Sequence, residues 1–395
     1  MLNLLAVKDQ VDRMVRDRRV VQGDYESRLA LALEELERQS VDWPGLGAKV
    51  DVSRTSWLLP AICESPTRTY PRPPRPHQIS IAATDGSQIF PDRHEVAACF
   101  LINIGYVLLH YGTGEKPLMN SIPRLYYGDA QEDWEGHRIY PNRDSVGLRR
   151  TTMEFTEVAE LAVAAQQEGH QVVALADGTL ILWSLEGKPQ ELRELVLEAH
   201  LRAFEQLRRN RIPVAGYISK SGGRDLTNAL RLGLCPLEAP DCDRCPWREG
   251  AIEPGDAELP CGAIGGIADG ILLRQSLTVG QRTPAFASRS KILEAYGDHH
   301  VWFFYVHVGR EIARVEVPQW VAEDDQLLDL VHACACDQAE KGNGYPVALS
   351  EAHEQAIVRG RDRERFYALV EESLVRGDLG AGLSTKSASK RTAVV

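Results

Sequence analysis

Apolar residues recur at helical spacing through the first forty positions. Leu29, Leu31, Leu33 and Leu36 fit one amphipathic stretch, with Glu34, Glu35 and Glu37 on its outer side, so residues 1 to about 40 are predicted to be helix. The segment 66–76, PTRTYPRPPRP, carries five prolines. It suits neither helix nor inner strand and reads as a stiff connector. The period then changes. Ile79 to Thr84 is a short apolar run closing on Asp85-Gly86-Ser87, and Val96 to Leu109 is apolar and long enough for one or two strands. Residues 111–150 are polar and rich in turn formers. Glu154 to Gln167 is helical, with Phe155, Val158, Ala159, Ala162 and Ala165 on one face. A buried-strand run, Gln171 to Ala176, ends at Asp177-Gly178. Leu192 to Arg209 is predicted helix and Ile212 to Ile218 strand. Residues 233–266 are rich in Cys, Pro and Gly and read as an irregular insertion. Val301 to Val308 and Glu311 to Val317 flank Gly309-Arg310 as a hairpin. Asp324 to Glu340 and Ser350 to Arg376 read as helices, and the tail from Gly377 as disordered.

Helices mixed with strands and a hairpin predict an α/β fold with a mixed sheet. The organisation expected is a helical segment over 1–65, a proline-rich connector over 66–77, a principal domain over 78–376 with the insertion at 233–266, and a tail over 377–395. Composition fits a globular protein, with 44% hydrophobic and 26% charged residues among 395. No apolar run approaches the ~18 residues of a membrane span, and Lys8, Asp9 and Asp12 interrupt the N-terminal segment where a signal peptide is apolar. A cytoplasmic location and no membrane partner are expected. The net charge of −11 disfavours indiscriminate nucleic-acid binding. It does not exclude a nuclease, because active-site carboxylates add negative charge and a local basic groove can coexist with them. Local basic clusters stand at Arg143, Arg149 and Arg150, at Arg208, Arg209 and Arg211, and at Arg359, Arg361, Arg363 and Arg365.

Two apolar runs that each end in Asp-Gly are the first chemical signal. A strand fixes an aspartate and glycine permits a sharp turn away from a ligand. Two such carboxylates brought together repel unless a cation lies between them, and hard divalent cations prefer oxygen ligands. The plain alternative is that each Asp-Gly is a turn. The residues offer Glu154, Glu157 or Glu160 as a third carboxylate, against the plain alternative of a solvated acidic helix face. Spacing does not separate the three.

The segments ATDGSQ (83–88), RRTTMEF (149–155), VVALADGTLI (172–181), AGYISKS (215–221), GQRTPAF (280–286) and GYPVALSEAH (344–353) carry a resemblance to the NurA nuclease family. They stand in the family's order and cover about residues 78–375. The resemblance implies an RNase H-like fold and a Mn²⁺- or Mg²⁺-dependent DNA nuclease. It implies that Asp85, Glu154 and Asp177 are metal-binding carboxylates and that Tyr345 and His353 belong to the site, His353 as a further ligand or proton carrier. Lys220 and Arg282 lie in matching segments and are candidates for holding phosphates. It further implies a HerA-type hexameric ATPase as partner in DNA end resection and double-strand break repair, with this chain as a homodimer. The N-terminal helix is a candidate contact for either partner, or else packs on its own domain. Competing readings are a non-catalytic DNA-binding scaffold and an RNase H-like hydrolase acting on RNA.

The eight cysteines are unevenly placed. Four fall as Cys235-x6-Cys242-x2-Cys245-x15-Cys261, a pattern the family resemblance does not require. Four thiolates suit a 4Fe–4S cluster or Zn²⁺. The first three spacings, with Pro236 and Pro246, are similar to the iron–sulfur loop of some DNA glycosylases, although the last gap is longer. Unliganded loop thiols are the plain alternative. Cys63, Cys99, Cys334 and Cys336 are expected in the core.

Overall fold

The computed structural model describes residues 3–91, 99–127, 132–134, 137–139, 141–245 and 259–378. The expected disordered tail lies outside these, apart from its first two residues. The chain forms two compact units. One comprises 1–72, 218–294 and 300–315, the other 73–217, 295–299 and 316–395. The division between Arg72 and Pro73 falls inside the proline-rich connector.

In the second unit five strands form a mixed sheet. In spatial order they are Leu118–Tyr127, Cys99–Tyr111, Ile79–Ile89, Val172–Asp177 and Val214–Ile218. The central strand Ile79–Ile89 pairs antiparallel with Cys99–Tyr111 and parallel with Val172–Asp177, which pairs parallel with Val214–Ile218. The parallel strands are continuous apolar runs because helices cover both faces. Alternation along the central pair decides which helix lies where. Asp85 is opposite Gly105 and Gly86 opposite Ile104, so Asp85 and Gly105 share one face and Gly86 the other. The helix Arg143–Gln167 packs on the Gly86 face and Val347–Ala356 on the Gly105 face. This is the mixed sheet flanked by helices that the sequence predicts.

Several boundaries move. The 111–150 region, expected as irregular, supplies the strand Leu118–Tyr127, whose side chains are largely exposed and so give no apolar signal. The helix expected from Ser350 to Arg376 is two helices, Val347–Ala356 and Gly360–Arg376. The first starts after Pro346, and the backbone turns extended at Ile357.

The first unit begins with the helix Leu4–Val41. Its C-terminal half is part of the unit's core: Ala32 and Leu36 are fully buried among Leu226, Leu230 and Leu272, with Tyr25, Leu29 and Leu33 packed beside them. Nearer the N-terminus, Leu4, Leu5, Val11, Met14 and Val15 are exposed. The helix thus packs on its own unit from about Tyr25 onward. The predicted hairpin is present as Val301–His307 and Ile312–Pro318, its turn closed by the Val308 N–H donating to the Glu311 carbonyl at 3.0 Å. No helix among the described residues is long and apolar enough to cross a membrane.

Candidate active site

Asp85 is not at a strand end. Its strand runs four residues further, to Ile89, so Gly86 is not there for a turn. A Cβ on Gly86 would stand 2.4 Å from Glu154 Oε1 and 2.8 Å from Arg150 Cγ. The missing side chain opens a window in the sheet face through which Glu154 reaches the strand that carries Asp85. Thr84 fixes the approach by donating its hydroxyl to the Glu154 carbonyl at 2.8 Å.

On the opposite face, His353 Nδ1 donates to Asp85 Oδ2 at 2.6 Å, and the Gly86 N–H donates to Asp85 Oδ1 at 2.8 Å. Close helix packing makes the first contact possible. A Cβ on Gly105 would lie 2.4 Å from both the Ala352 carbonyl oxygen and the Ala356 nitrogen. The end of the same helix is tied down by Asn103, whose side-chain amide donates to the Ala356 carbonyl at 2.8 Å, and by the Ser87 hydroxyl, which donates to that oxygen too.

Asp177 does end its strand, as predicted, and Gly178 takes φ +90°, a conformation that favours glycine. Tyr345 donates its hydroxyl to Asp177 Oδ1 at 2.7 Å and stands edge-on to Tyr217, ring centroids 5.7 Å apart. Burial, then the Asp177 hydrogen bond, pushes the Tyr345 hydroxyl far above the ordinary phenol range, so it acts as a proton-bearing donor. Sequence reasoning missed Glu316. It is buried, and its Oε2 accepts from the Leu180 N–H at 2.9 Å and from the Thr179 hydroxyl at 2.7 Å, fixing the loop after Asp177. A lone Glu in an apolar strand is the signal that could have found it. Replacing Tyr345 with Phe removes one orienting hydrogen bond and no metal-binding atom. The expected result is a roughly 10-fold weaker response to metal with the melting temperature preserved, read from activity against metal concentration.

Burial raises the Glu154 carboxyl from 4.5 to about 8. Arg150 opposes the shift, and the charges of Asp85 and Asp177 add to it. Glu154 thus lies within electrostatic reach of both aspartates. Arg150 Nε lies 3.0 Å from Glu154 Oε1, but the pair is misaligned for a hydrogen bond, and this buried oxygen has no hydrogen-bond partner. The Arg150 charge and a backbone hydrogen bond from Gly86 are what favour the ionised form of this carboxyl. Glu157 differs: it pairs with Arg124 at 2.6 Å and, with Glu160, lines a separate cavity of about 460 Å³ beside Arg149 and Arg202. The structure brings Asp85, Glu154, Asp177, Tyr345 and His353 together and leaves Glu157 and Glu160 out. The candidate ligand atoms are nonetheless spread. Among the described residues, the one group with three such atoms within 4.8 Å is His110, Glu115 and His170, which the sequence did not suggest.

The two candidate phosphate contacts fare differently. Arg282 is 4% exposed, and its guanidinium stacks on Tyr70 at 4.1 Å. The backbones of Tyr70 and Arg282 exchange hydrogen bonds of 2.9 and 3.0 Å. Arg282 therefore anchors the proline-rich connector and does not reach a solvent-borne phosphate. Lys220 is exposed at φ 46°, with its N–H donating to Glu311 Oε2 at 3.0 Å. The basic clusters are partly internal pairs: Arg208 and Arg209 both bond Glu205, holding that carboxyl down at about 2, and Arg211 pairs with Asp324. Among the cysteines expected in the core, Cys99, Cys334 and Cys336 are buried and Cys63 is exposed, in the loop after the short strand Pro60–Ala61.

The NurA domain sequence profile matches residues 79–358, which contain all five convergent residues. None of the curated proteins matches the chain. Among solved structures, the NurA nuclease from Sulfolobus solfataricus is 14% identical, with a TM-score of 0.48 over 78% of this chain and 88% of that one. NurA bound to dAMP and manganese is 13% identical, with a TM-score of 0.38 over 95% of this chain and 98% of that one. LC9-RNase H1 is 11% identical, with a TM-score of 0.22 over 36% of this chain and 62% of that one. At these scores the solved structures add no weight to the sequence match, which covers most of the chain.

Proposed function

The chain belongs to the NurA domain family, and on that premise we propose that it is a Mn²⁺- or Mg²⁺-dependent DNA nuclease that hydrolyses phosphodiester bonds. The observation that carries the reading is that Asp85 and Asp177, held by hydrogen bonds with His353 and Tyr345, both act electrostatically on the Glu154 carboxyl. The donor set fits a hard divalent cation: three carboxylates from two strands and a helix, with an imidazole beside them. Asp85, Glu154 and Asp177 would hold the metal. Such cations activate water and neutralise charge on the leaving oxygen of a phosphodiester. Tyr345 keeps one Asp177 oxygen oriented. His353, bonded to Asp85 through Nδ1, leaves Nε2 to bind metal or move a proton. Labelled single- and double-stranded DNA and RNA, incubated with Mn²⁺, Mg²⁺ or chelator, tests the reading. Cleavage of DNA that chelator abolishes is expected. Metal-independent cleavage, or preference for RNA, would overturn it.

The raised Glu154 value gives a pH signature. Without metal the folded state holds this proton up to about pH 8, whereas the unfolded chain releases it near 4.5. The folded state binds more protons in that window, so this group's contribution is full below 4.5 and is lost as pH rises toward 8. Metal must displace the proton. Calorimetric titration with Mn²⁺ near pH 7 in buffers of different ionisation heat should show proton release by the wild type. Glu154→Gln should show none, and the metal-free variant should melt with a flatter pH dependence between 4.5 and 8.

The proposal extends to a HerA-type hexameric ATPase as partner in DNA end resection and to a homodimer. A net charge of −11 makes unaided capture of DNA weak at physiological salt, and a motor that threads DNA would supply what electrostatics does not. Digestion of long duplexes that runs equally fast with and without the ATPase would remove this part of the reading.

A further inference from the structure

Four cysteines separated by up to 26 positions line one cavity. Cys235, Cys242, Cys245 and Cys261 surround a hollow of about 30 Å³, larger than the ~10–15 Å³ that a single water needs. Local sequence does not force this. Cys235 follows the helix Asp225–Gly233, Cys242 and Cys245 sit in the next loop, and Cys261 lies in the short turn Pro260–Gly262.

The backbone at each approach is fixed by groups from other elements. The Cys242 N–H donates to the Arg54 carbonyl and the Arg54 N–H to the Pro240 carbonyl, both at 2.8 Å. Lys49 Nζ donates to the Cys235 carbonyl, and Arg231 Nε to the Cys261 carbonyl at 2.8 Å. The Asp241 carboxylate accepts from the Asp243 and Arg244 N–H groups, shaping the turn between Cys242 and Cys245. Trp57, Leu232, Leu237 and Leu259 provide the apolar wall.

A single ion and a cluster ask for different sulfur spacings. A single zinc with bonds of ~2.3 Å holds its four sulfurs about 3.8 Å apart. Among the described residues no three of these sulfurs lie within 4.8 Å of one another. The four sulfurs are thus not drawn in around a single ion in this structure. A four-iron cluster interposes its own iron–sulfide cube and spreads the thiolates farther apart, around a space of its own.

We propose that Cys235, Cys242, Cys245 and Cys261 ligate a 4Fe–4S cluster. Four thiols release four protons to solvent as four iron–sulfur bonds form. A cube of two ferrous ions, two ferric ions and four sulfides carries charge +2, and four thiolates bring the site to −2. Arg231 and Lys49, bonded to the carbonyls of two of the cysteines, offset that charge. Arg231 is held by its stack on Trp57, 3.7 Å from the ring centroid. The cluster would tie the loop after Cys235 to the turn at Cys261, an attachment made within this unit and independent of the carboxylate site.

The test is metal and sulfide content of the full-length protein, purified anaerobically and also reconstituted with equal ferrous and ferric iron plus sulfide. The expected result is about four iron and four acid-labile sulfide per chain, with thiolate-to-iron absorption in the visible. Cys242→Ser and Cys245→Ser should lose most of both, while Cys63→Ser, outside the cavity, should keep them. Wild-type protein that holds one zinc, a two-iron centre, or no metal after reconstitution would overturn the proposal. The wild-type content decides even if the variants fold poorly.

Discussion

Asp177→Asn and Asp85→Asn are expected to lose DNA cleavage by on the order of a thousand-fold in saturating Mn²⁺, equivalent to ~4 kcal/mol of barrier. Each change keeps the shape of the side chain and removes one negative charge from the metal-binding set. Folding should not suffer. Both carboxylates raise the Glu154 proton affinity, so either variant eases the like-charge repulsion that the metal-free site meets as Glu154 ionises. The melting temperature without metal should hold or rise, and its increase on adding Mn²⁺ should vanish. Glu157→Gln, which alters only the pair with Arg124, is the control and should retain activity. Full cleavage by either aspartate variant would mean that these two strands do not carry the metal.

Gly105→Ala should be the most damaging single-methyl change in the sheet. The added Cβ meets the Ala352 carbonyl oxygen and the Ala356 nitrogen, each at 2.4 Å. Both are backbone atoms, so no rotamer relieves the clash, and the helix Val347–Ala356 must lift. Overpacking of this kind costs ~3 kcal/mol, or roughly 6–12 °C in melting temperature for a unit of this size. The same shift draws His353 off Asp85, so activity falls in the protein that remains folded. Gly147→Ala is the comparison. It lies in the helix Arg143–Gln167 with nothing within 4 Å of its added Cβ, and helix propensity favours the change by up to ~1 kcal/mol. If thermal unfolding shows the two variants equally stable, the close helix–strand contact is not what positions His353.

The catalytic proposal and the cysteine proposal are separable in experiment because each site lies within one compact unit. A chain that fails to assemble a cluster still tests the carboxylates, and an aspartate variant still tests the cysteines.

Hydrophobic periodicity by itself determined much of the fold. The face Phe155, Val158, Ala159, Ala162 and Ala165 is buried as predicted. The apolar runs at Ile79, Val172 and Val214 are the parallel strands. These signals are local, because burial of a face repeats every two or 3.6 residues within one element. Asp177-Gly178 was legible for the same reason: a strand end and a left-handed glycine are written in adjacent positions. Tertiary structure decided the rest. Gly86 and Gly105 owe their identity to neighbours far along the chain, and Asp85 sits mid-strand because the strand Cys99–Tyr111 continues its ladder as far as Ile89. Arg282 lies in a motif segment yet is buried against Tyr70, a contact no spacing encodes. Glu154 separates from Glu157 and Glu160 only through what each side chain meets, Glu154 at the Gly86 window and the others in the cavity beside Arg124 and Arg149. Sequence fixes which side chains are available. Which of them meet depends on how strands align and how closely helices approach, and those distances are set by atoms distant in the chain.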